Sequence, residues 1–260
     1  MPRILPARAA RTALRAVLRP GLYDSLTRDH RLLTLSSPLA GLCVQRRGLR
    51  LRGRRDLVGV DRLDAVIVIN LADRPERLCG FEEEMARLGI PNYTRFEAIR
   101  DVPGILGCTR SHAECLRQMV ESGWTCALFC EDDARFHVSR RELDVLVEAF
   151  LADPRAEVAC LAYNHCEAPS WYNPLFVRAP RDTRSASCYL VKASIAPDLA
   201  ALFTEGAEQL ASGGDRSAFG IDRIWGRLIA SRVFLLPIRR AAFQEPGYSD
   251  VESKFVSYGV

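Results

Sequence analysis

Lysine is almost missing from this 260-residue chain: Lys192 and Lys254 are the only two, and every other fixed cation is arginine. The arginines are also unevenly placed. Residues 1–55 hold thirteen of them against Asp24 and Asp29, a net of +11 within an overall +4, which leaves −7 for the rest. An acidic body argues against nucleic acid as its ligand and leaves the amino-terminal arm as the anion-seeking part. No uninterrupted apolar run reaches about eighteen residues, which excludes a membrane-spanning helix. Nine cysteines, an odd number, include no C-x-x-C pair, so a disulfide framework is not expected and free thiols in a reducing, cytoplasmic setting are. The four histidines, His30, His112, His137 and His165, have no ligand spacing to one another, which argues against zinc. Internal repeats and low-complexity tracts are missing too.

What remains has ordinary globular proportions, 48% hydrophobic and 26% charged, and the length suits one large α/β domain with an extra arm. The arm begins with Arg8, Arg11, Arg15 and Arg19 at helical spacing, opposite Ala10, Leu14, Val17 and Leu18. This reads as a short basic helix able to lie on an anionic membrane surface, or as a docked arm. Arg46–Arg55, with Gly48 and Gly53, reads as a linker. The expected division is an arm and linker over 1–63, a folded domain over 64–252 and a tail over 253–260.

From Ala65 the pattern changes. AVIVINL is rich in β-branched residues and apolar apart from Asn70, as in a central parallel strand covered on both faces. Asp73 is the expected cap of a following helix, Pro75 suits its first turn, Leu78, Phe81, Met85 and Leu88 form its stripe, and Gly89 stops it. A strand near Tyr93–Ile99 completes a βαβ unit. A Gly/Pro loop then runs into a helix with Ser111 and His112 in its first turn or two and Leu116, Met119 and Val120 inward. Ser139 and Glu142 make a capping box for a helix carrying Leu143, Leu146, Val147 and Phe150. Glu157–Tyr163 and Arg184–Lys192 read as strands. Between them, residues 164–182 look like an irregular wall in which Trp171 and Tyr172 can stack on a sugar ring or pack in the core. AFGIDRIWGRLIASR reads as one helix with Asp222 in its first turn, and Val233–Leu236 as the last clear strand.

The stretch that organises the chain is CALFCEDDARF, 126–136. Its apolar start is a buried strand, and Glu131, Asp132 and Asp133 mark the carboxyl end, where open α/β sheets take their ligands. If the backbone stays extended, Glu131 and Asp133 share one side and Asp132 takes the other. Neighbouring carboxylates repel, and a hard divalent cation carrying a diphosphate relieves that repulsion. A merely solvated acidic exit is the plainer alternative.

Several segments taken in series resemble glycosyltransferase family 25, which includes lipooligosaccharide and collagen galactosyltransferases: VIVINLADRPERL (66–78), GCTRSHAECLRQMV (107–120), ALFCEDDARF (127–136), SASCYLV (185–191), GIDRIWGRL (220–228) and FQEPGYSD (243–250). The resemblance covers about 64–252 and none of the arm. It implies a GT-A type nucleotide-sugar-binding fold, a Rossmann-like mixed sheet flanked by helices in a single domain. It further implies transfer of a hexose such as galactose from a UDP-sugar to a hydroxyl of a glycan, glycolipid or glycoprotein, with inversion, as in lipopolysaccharide synthesis. Glu131 and Asp133 would hold Mn2+ or Mg2+. Asn70, Leu71, Arg74, Arg77, Ser111, His112 and Asp132 would face the donor. Asp222 would be the general base, with Asp250 second and Asp133 at the reacting centre. With the basic arm, the expected location is cytoplasmic and peripheral at the inner membrane face. A metal-dependent phosphohydrolase, a catalytically silent binding protein of the same fold and a membrane-associated interaction protein are the alternatives.

Overall fold

The computed structural model describes residues 58–252 apart from Cys166, together with 254–257. The basic helix and linker expected over 1–55 lie outside the described residues. Strand β1 (Ala65–Asn70) is followed by helix α1 (Pro75–Leu88), β2 (Thr94–Glu97), helix α2 (Gly104–Glu121), β3 (Cys126–Glu131) and the short β4 (Ala134–Phe136). Helix α3 (Arg140–Ala152), β5 (Val158–Cys160), β6 (Ser170–Trp171), β7 (Phe176–Arg178), β8 (Cys188–Lys192) and helix α4 (Ala196–Ala211) come next. Three one-turn helices, α5 (Arg216–Phe219), α6 (Ile221–Ile224) and α7 (Gly226–Ile229), lead to β9 (Phe234–Pro237), β10 (Ala242–Gln244), β11 (Gly247–Ser249) and β12 (Lys254–Val256).

Eight strands form one mixed sheet in the order β2-β1-β3-β8-β5-β9-β7-β6. β1 runs parallel to both β2 and β3, whereas β8 runs against its neighbours β3 and β5. Period-two alternation splits the apolar strands between two cores. Val66, Val68, Leu128 and Leu190 meet Phe81 and Met85 of α1 and Leu143 and Phe150 of α3 on one face. Ile67, Ile69, Phe129 and Tyr189 meet Leu116 and Met119 of α2 and Leu199 and Phe203 of α4 on the other. Each such side chain fully removed from water contributes about 1.5–3 kcal/mol, which is why the run AVIVIN, apolar on both faces, can only be central. Helices α1 and α2 thus cover opposite faces, and the chain reverses its direction of travel across the sheet between β1 and β3. A crevice opens at that point in sheets of this kind.

Several local expectations hold. Pro75 starts α1, and Gly89, at φ 65°, ends it in the left-handed conformation, with Ile90 N–H donating to Met85 C=O. The Ser139–Glu142 capping box is present in both directions. Others are corrected. Arg74, not Asp73, precedes the first turn of α1 and offers it no side-chain cap; Asp73 is drawn away into an ion pair with Arg100 at 2.5 Å. Helix α2 begins at Gly104, so Ser111 and His112 lie two turns inside it rather than near its start. Val120, one residue from the end of α2, is exposed instead of inward. The single helix read over 218–232 is broken into one-turn pieces: Gly220 takes an extended ψ of 147° between the first two, whereas Trp225, between the second and third, keeps helical angles. The wall over 164–182 contains the β6–β7 hairpin at the far edge of the sheet. The seven described cysteines are all free, and no helix among the described residues is long and apolar enough to cross a membrane.

Candidate functional site

A cleft of about 420 Å3 opens at the carboxyl ends of β1 and β3. Its floor is the acidic turn that follows β3. The ladder ends at Glu131, and Asp132 and Asp133 turn out of the strand, so the expected alternation of the three acids is not kept. Asp132 and Asp133 both turn to Arg77, in the first turn of α1, whose Nη2 lies 2.6 Å from Asp132 Oδ1 and 2.5 Å from Asp133 Oδ2. Glu131 faces α2 instead. All three line the same cleft.

Asn70, at the end of β1 and almost fully buried, fixes Asp132. Its Nδ2 donates to Asp132 Oδ2 at 2.7 Å and to the Arg74 carbonyl at 3.0 Å, and its Oδ1 accepts from Arg95 Nε at 3.0 Å. Every polar atom of Asn70 is therefore engaged, and it reaches a ligand only through Asp132. Arg74 is spent in the same way, on a two-pronged pair with Asp250 at 3.1 and 3.0 Å. Asp250, the second candidate base, is held by Arg74 and by Arg100 at 3.5 Å. The Ser111 hydroxyl is buried and donates to the Gly107 carbonyl while accepting from Ile99 N–H, a bond that ties the loop after β2 to α2. Leu71 lines the cleft.

Glu131 is aimed by a relay. Tyr189 Oη lies 2.8 Å from His112 Nδ1, His112 Nε2 lies 3.3 Å from Glu131 Oε1, and Cys108 Sγ donates to the same oxygen at 3.6 Å. With Nε2–H donating to the carboxylate, a neutral His112 must accept the tyrosine proton at Nδ1. Burial alone would raise the Glu131 pKa, but the His112 hydrogen bond and the nearby Arg77 charge hold it below the ordinary value. Burial, with Glu131 adding to it, pushes the Cys108 thiol well up, so it stays protonated and donates.

Asp133 behaves in the opposite way. Its pKa is raised to about 7, first by burial and then by the Glu131 charge, which Arg77 only partly offsets. Asp133 Oδ2 accepts from Arg77 and from Gln244 Nε2 at 3.0 Å, whereas Oδ1 is buried and has no partner. Burial likewise raises Asp132 against the pull of Arg77.

One set of candidate ligand atoms for a cation converges on Glu131. The ligand atoms of Cys108, His112 and Glu131 lie within 4.8 Å of one another, a set suited to a soft ion. Reading the histidines only against one another overlooked this pair, although Cys108 and His112 stand four apart on one helix face. Hydrogen bonds already satisfy that set without an ion. The unsatisfied atom is the acceptor Asp133 Oδ1, a hard oxygen of the kind that suits magnesium or manganese.

Across the cleft stands Asp222, in α6. Its Oδ2 accepts from Ser185 N–H at 3.1 Å, and Arg223 Nε lies 3.9 Å from Oδ1. Ser185 and Ser187, whose hydroxyls are 2.9 Å apart, lie beside it with Arg184. These residues and Gln244 reach the cleft only through tertiary packing. Gln244 arrives because β10 pairs with β4. Trp171 and Tyr172 do not line the cleft: strand order carries Trp171 to the distant sheet edge, and Tyr172 donates its hydroxyl to Asp153.

No family model matches the chain, and no curated protein matches it. Among solved structures, a glycosyltransferase involved in the glycosylation of the major capsid of PBCV-1 is similar over 73% of this chain and 95% of that one, at 10% identity and a TM-score of 0.44. The protein A197 from STIV is similar over 74% of this chain and 92% of its own, at 12% identity and a TM-score of 0.41. Likenesses this slight fix neither a reaction nor a site.

Proposed function

We propose that this chain is a glycosyltransferase of the GT-A type, moving a hexose such as galactose from a UDP-sugar to a hydroxyl of a glycan or glycoconjugate. The observation that carries the reading is Asp133 Oδ1, a buried acceptor without a donor, beside the crevice between β1 and β3. Asp133 and Glu131 would hold magnesium or manganese there. Such an ion, when bound, supplies a Lewis acid that offsets charge on the departing diphosphate, worth several kcal/mol in comparable sites.

The protein's own groups divide the remaining work. Arg77 and Gln244 fix Asp133, and Asn70 fixes Asp132. Tyr189, His112 and Cys108 keep Glu131 ionised and oriented. Asp222 takes the proton of the acceptor hydroxyl as that oxygen bonds to the anomeric carbon and the bond from the carbon to UDP breaks, with inversion. A general base in this role is worth about 10²–10⁴ in rate. The basic arm would seat the enzyme on an anionic, cytoplasmic membrane face near a lipid-linked acceptor, which liposome flotation with and without residues 1–55 tests.

A thermal-shift panel of nucleotide sugars tests the central reading, because a ligand that binds only the native state raises its stability, by about 2.7 kcal/mol at a hundred times Kd. UDP-sugars with manganese are expected to raise the melting temperature, and the rise is expected to vanish with a chelator. An equal rise with and without metal overturns the metal assignment; no rise with any nucleotide sugar overturns the donor.

A further inference from the structure

Among the described residues, two buried side-chain polar atoms lack a hydrogen-bond partner, and both belong to residues lining this one cleft: Asp133 Oδ1 and Arg184 Nε. The first is an acceptor in want of a cation. The second is a donor in want of an anion. Arg184 differs from the other arginines of the cleft in this respect. Arg77 is paired with Asp132 and Asp133, Arg100 with Asp73, Arg216 with Glu252, and Arg223 stands 3.9 Å from Asp222. No carboxylate among the described residues pairs with Arg184.

The backbone that carries this guanidinium is held firmly. Arg184 N–H donates to the Asn164 carbonyl at 2.8 Å and its own carbonyl accepts from Asn164 N–H at 3.1 Å, an isolated bridge between the two segments. The next residue, Ser185, has φ 77°, the left-handed region that a non-glycine residue seldom takes, and its N–H is fastened to Asp222 Oδ2. Backbone held in a sparsely populated conformation at a cleft is a form of preorganisation. The Ser185 and Ser187 hydroxyls are 2.9 Å apart, and their mutual contact uses one of two protons, which leaves the other for a ligand.

We infer that Arg184, with the Ser185–Ser187 hydroxyl pair, forms an oxyanion subsite for the acceptor, which would then be a sugar bearing a carboxylate or a phosphate. The inference rests on the assignment of Asp222 as the base for the acceptor hydroxyl. Arg184 stands with Ser185 and Asp222 on the β8 side of the cleft, whereas Arg77 and the acids that would face the donor stand on the β1 and β3 side. A group held by Arg184 therefore belongs to the molecule whose hydroxyl meets Asp222. In a body of net charge −7, an anionic acceptor needs a local cation that no carboxylate has already neutralised. Arg184 meets that requirement, and its planar fork suits a two-oxygen partner.

The test is calorimetry on the full chain with methyl glucuronide, glucose 6-phosphate and uncharged methyl glucoside as probes, each with and without UDP and manganese. One or both charged probes are expected to bind roughly tenfold to a hundredfold more tightly than the neutral one, the range of a charge-assisted hydrogen bond recovered on binding. The tighter charged probe shows whether carboxylate or phosphate is preferred. R184Q is expected to abolish the preference and R184K to keep part of it, with UDP affinity and melting temperature unchanged in both. Equal binding of charged and neutral probes overturns the inference. So does an R184Q chain that loses UDP affinity while keeping the preference, since Arg184 would then serve the donor diphosphate. A wild-type chain that shows the Arg184-dependent preference but no UDP binding supports this subsite and removes the donor reading instead.

Discussion

The two ends of helix α1 each pin a buried carboxylate with an arginine, and they do it to opposite effect. At the closed end, both oxygens of Glu84 are occupied: Arg87 donates to them at 2.6 and 2.8 Å, and Phe136 N–H donates to Oε1 at 2.7 Å. Burial would raise the Glu84 pKa, but those bonds and the Arg87 charge hold it below the ordinary value. At the open end, three residues before Phe136, Arg77 reaches Asp133, yet one oxygen is left over and the pKa climbs to about 7. One carboxylate is a structural tie. The other keeps an acceptor that nothing among the described residues fills. Burial and an arginine partner are common to both, so neither distinguishes function from support; the unfilled oxygen does.

The comparison breaks first at Asp133. Asp133→Asn is expected to lower metal-dependent UDP binding by a hundredfold or more and to abolish transfer, while leaving the metal-free melting temperature unchanged or higher, because a neutral amide suits a buried site better. A large drop in melting temperature with UDP binding intact would make Asp133 a structural tie like Glu84. Next in size, Asp222→Asn is expected to cost about 10²–10⁴ in transfer rate with UDP affinity unchanged, as for a lost general base. Glu84→Ala should do the reverse. Leaving the buried Phe136 N–H without a partner costs about 1–3 kcal/mol, or roughly 2–4 °C in melting temperature per kcal/mol for a domain of this size, with UDP binding unaffected.

The smallest effect is the one of opposite sign with pH. The folded pKa of Glu84 lies below its unfolded value of 4.5, so its contribution is present above that pH and is lost as the pH falls. The folded pKa of Asp133 lies above its unfolded value of 3.8, so its contribution is present below that pH and fades as the pH rises from 3.8 to about 7. Metal-free wild-type protein melted between pH 5 and pH 8 should therefore lose stability relative to Asp133→Asn. Manganese should add more stability at pH 8 than at pH 5, since at the lower pH it must displace a proton. Parallel melting curves for the two chains would show that Asp133 does not hold its proton.

The central strands, the limits of α1 and the capping box of α3 could be read from the chain because each rests on neighbours in sequence: a run of β-branched residues, a proline and a glycine at helical distance, a serine three residues before a glutamate. The acidic turn was legible as chemistry but not as geometry. Whether Glu131, Asp132 and Asp133 alternate depends on where the ladder stops, which their partners on α1 and α2 decide. Asp73 as a cap failed for the same reason, since Arg100, 27 residues away, competes for it. The Cys108–His112 spacing was present in the sequence and went unread. Arg184 offered no sequence signal at all, because its significance is a missing partner, and a linear chain does not display what fails to come near a residue.

Strand β8 lies reversed between β3 and β5, so the residues it contributes to the cleft precede the strand rather than follow it. The span from Asn164 to Ser187 is tied at its exit by the β8 register, at its start by the Asn164–Arg184 bridge and in its middle by β7 against β9, with loops between those ties. Insertions or deletions in the loops between those ties would fall away from β1, β3 and the acids that follow β3. Under the proposed function, a new acceptor preference would then be reached by exchanging a cassette, with the donor-facing half left as it was.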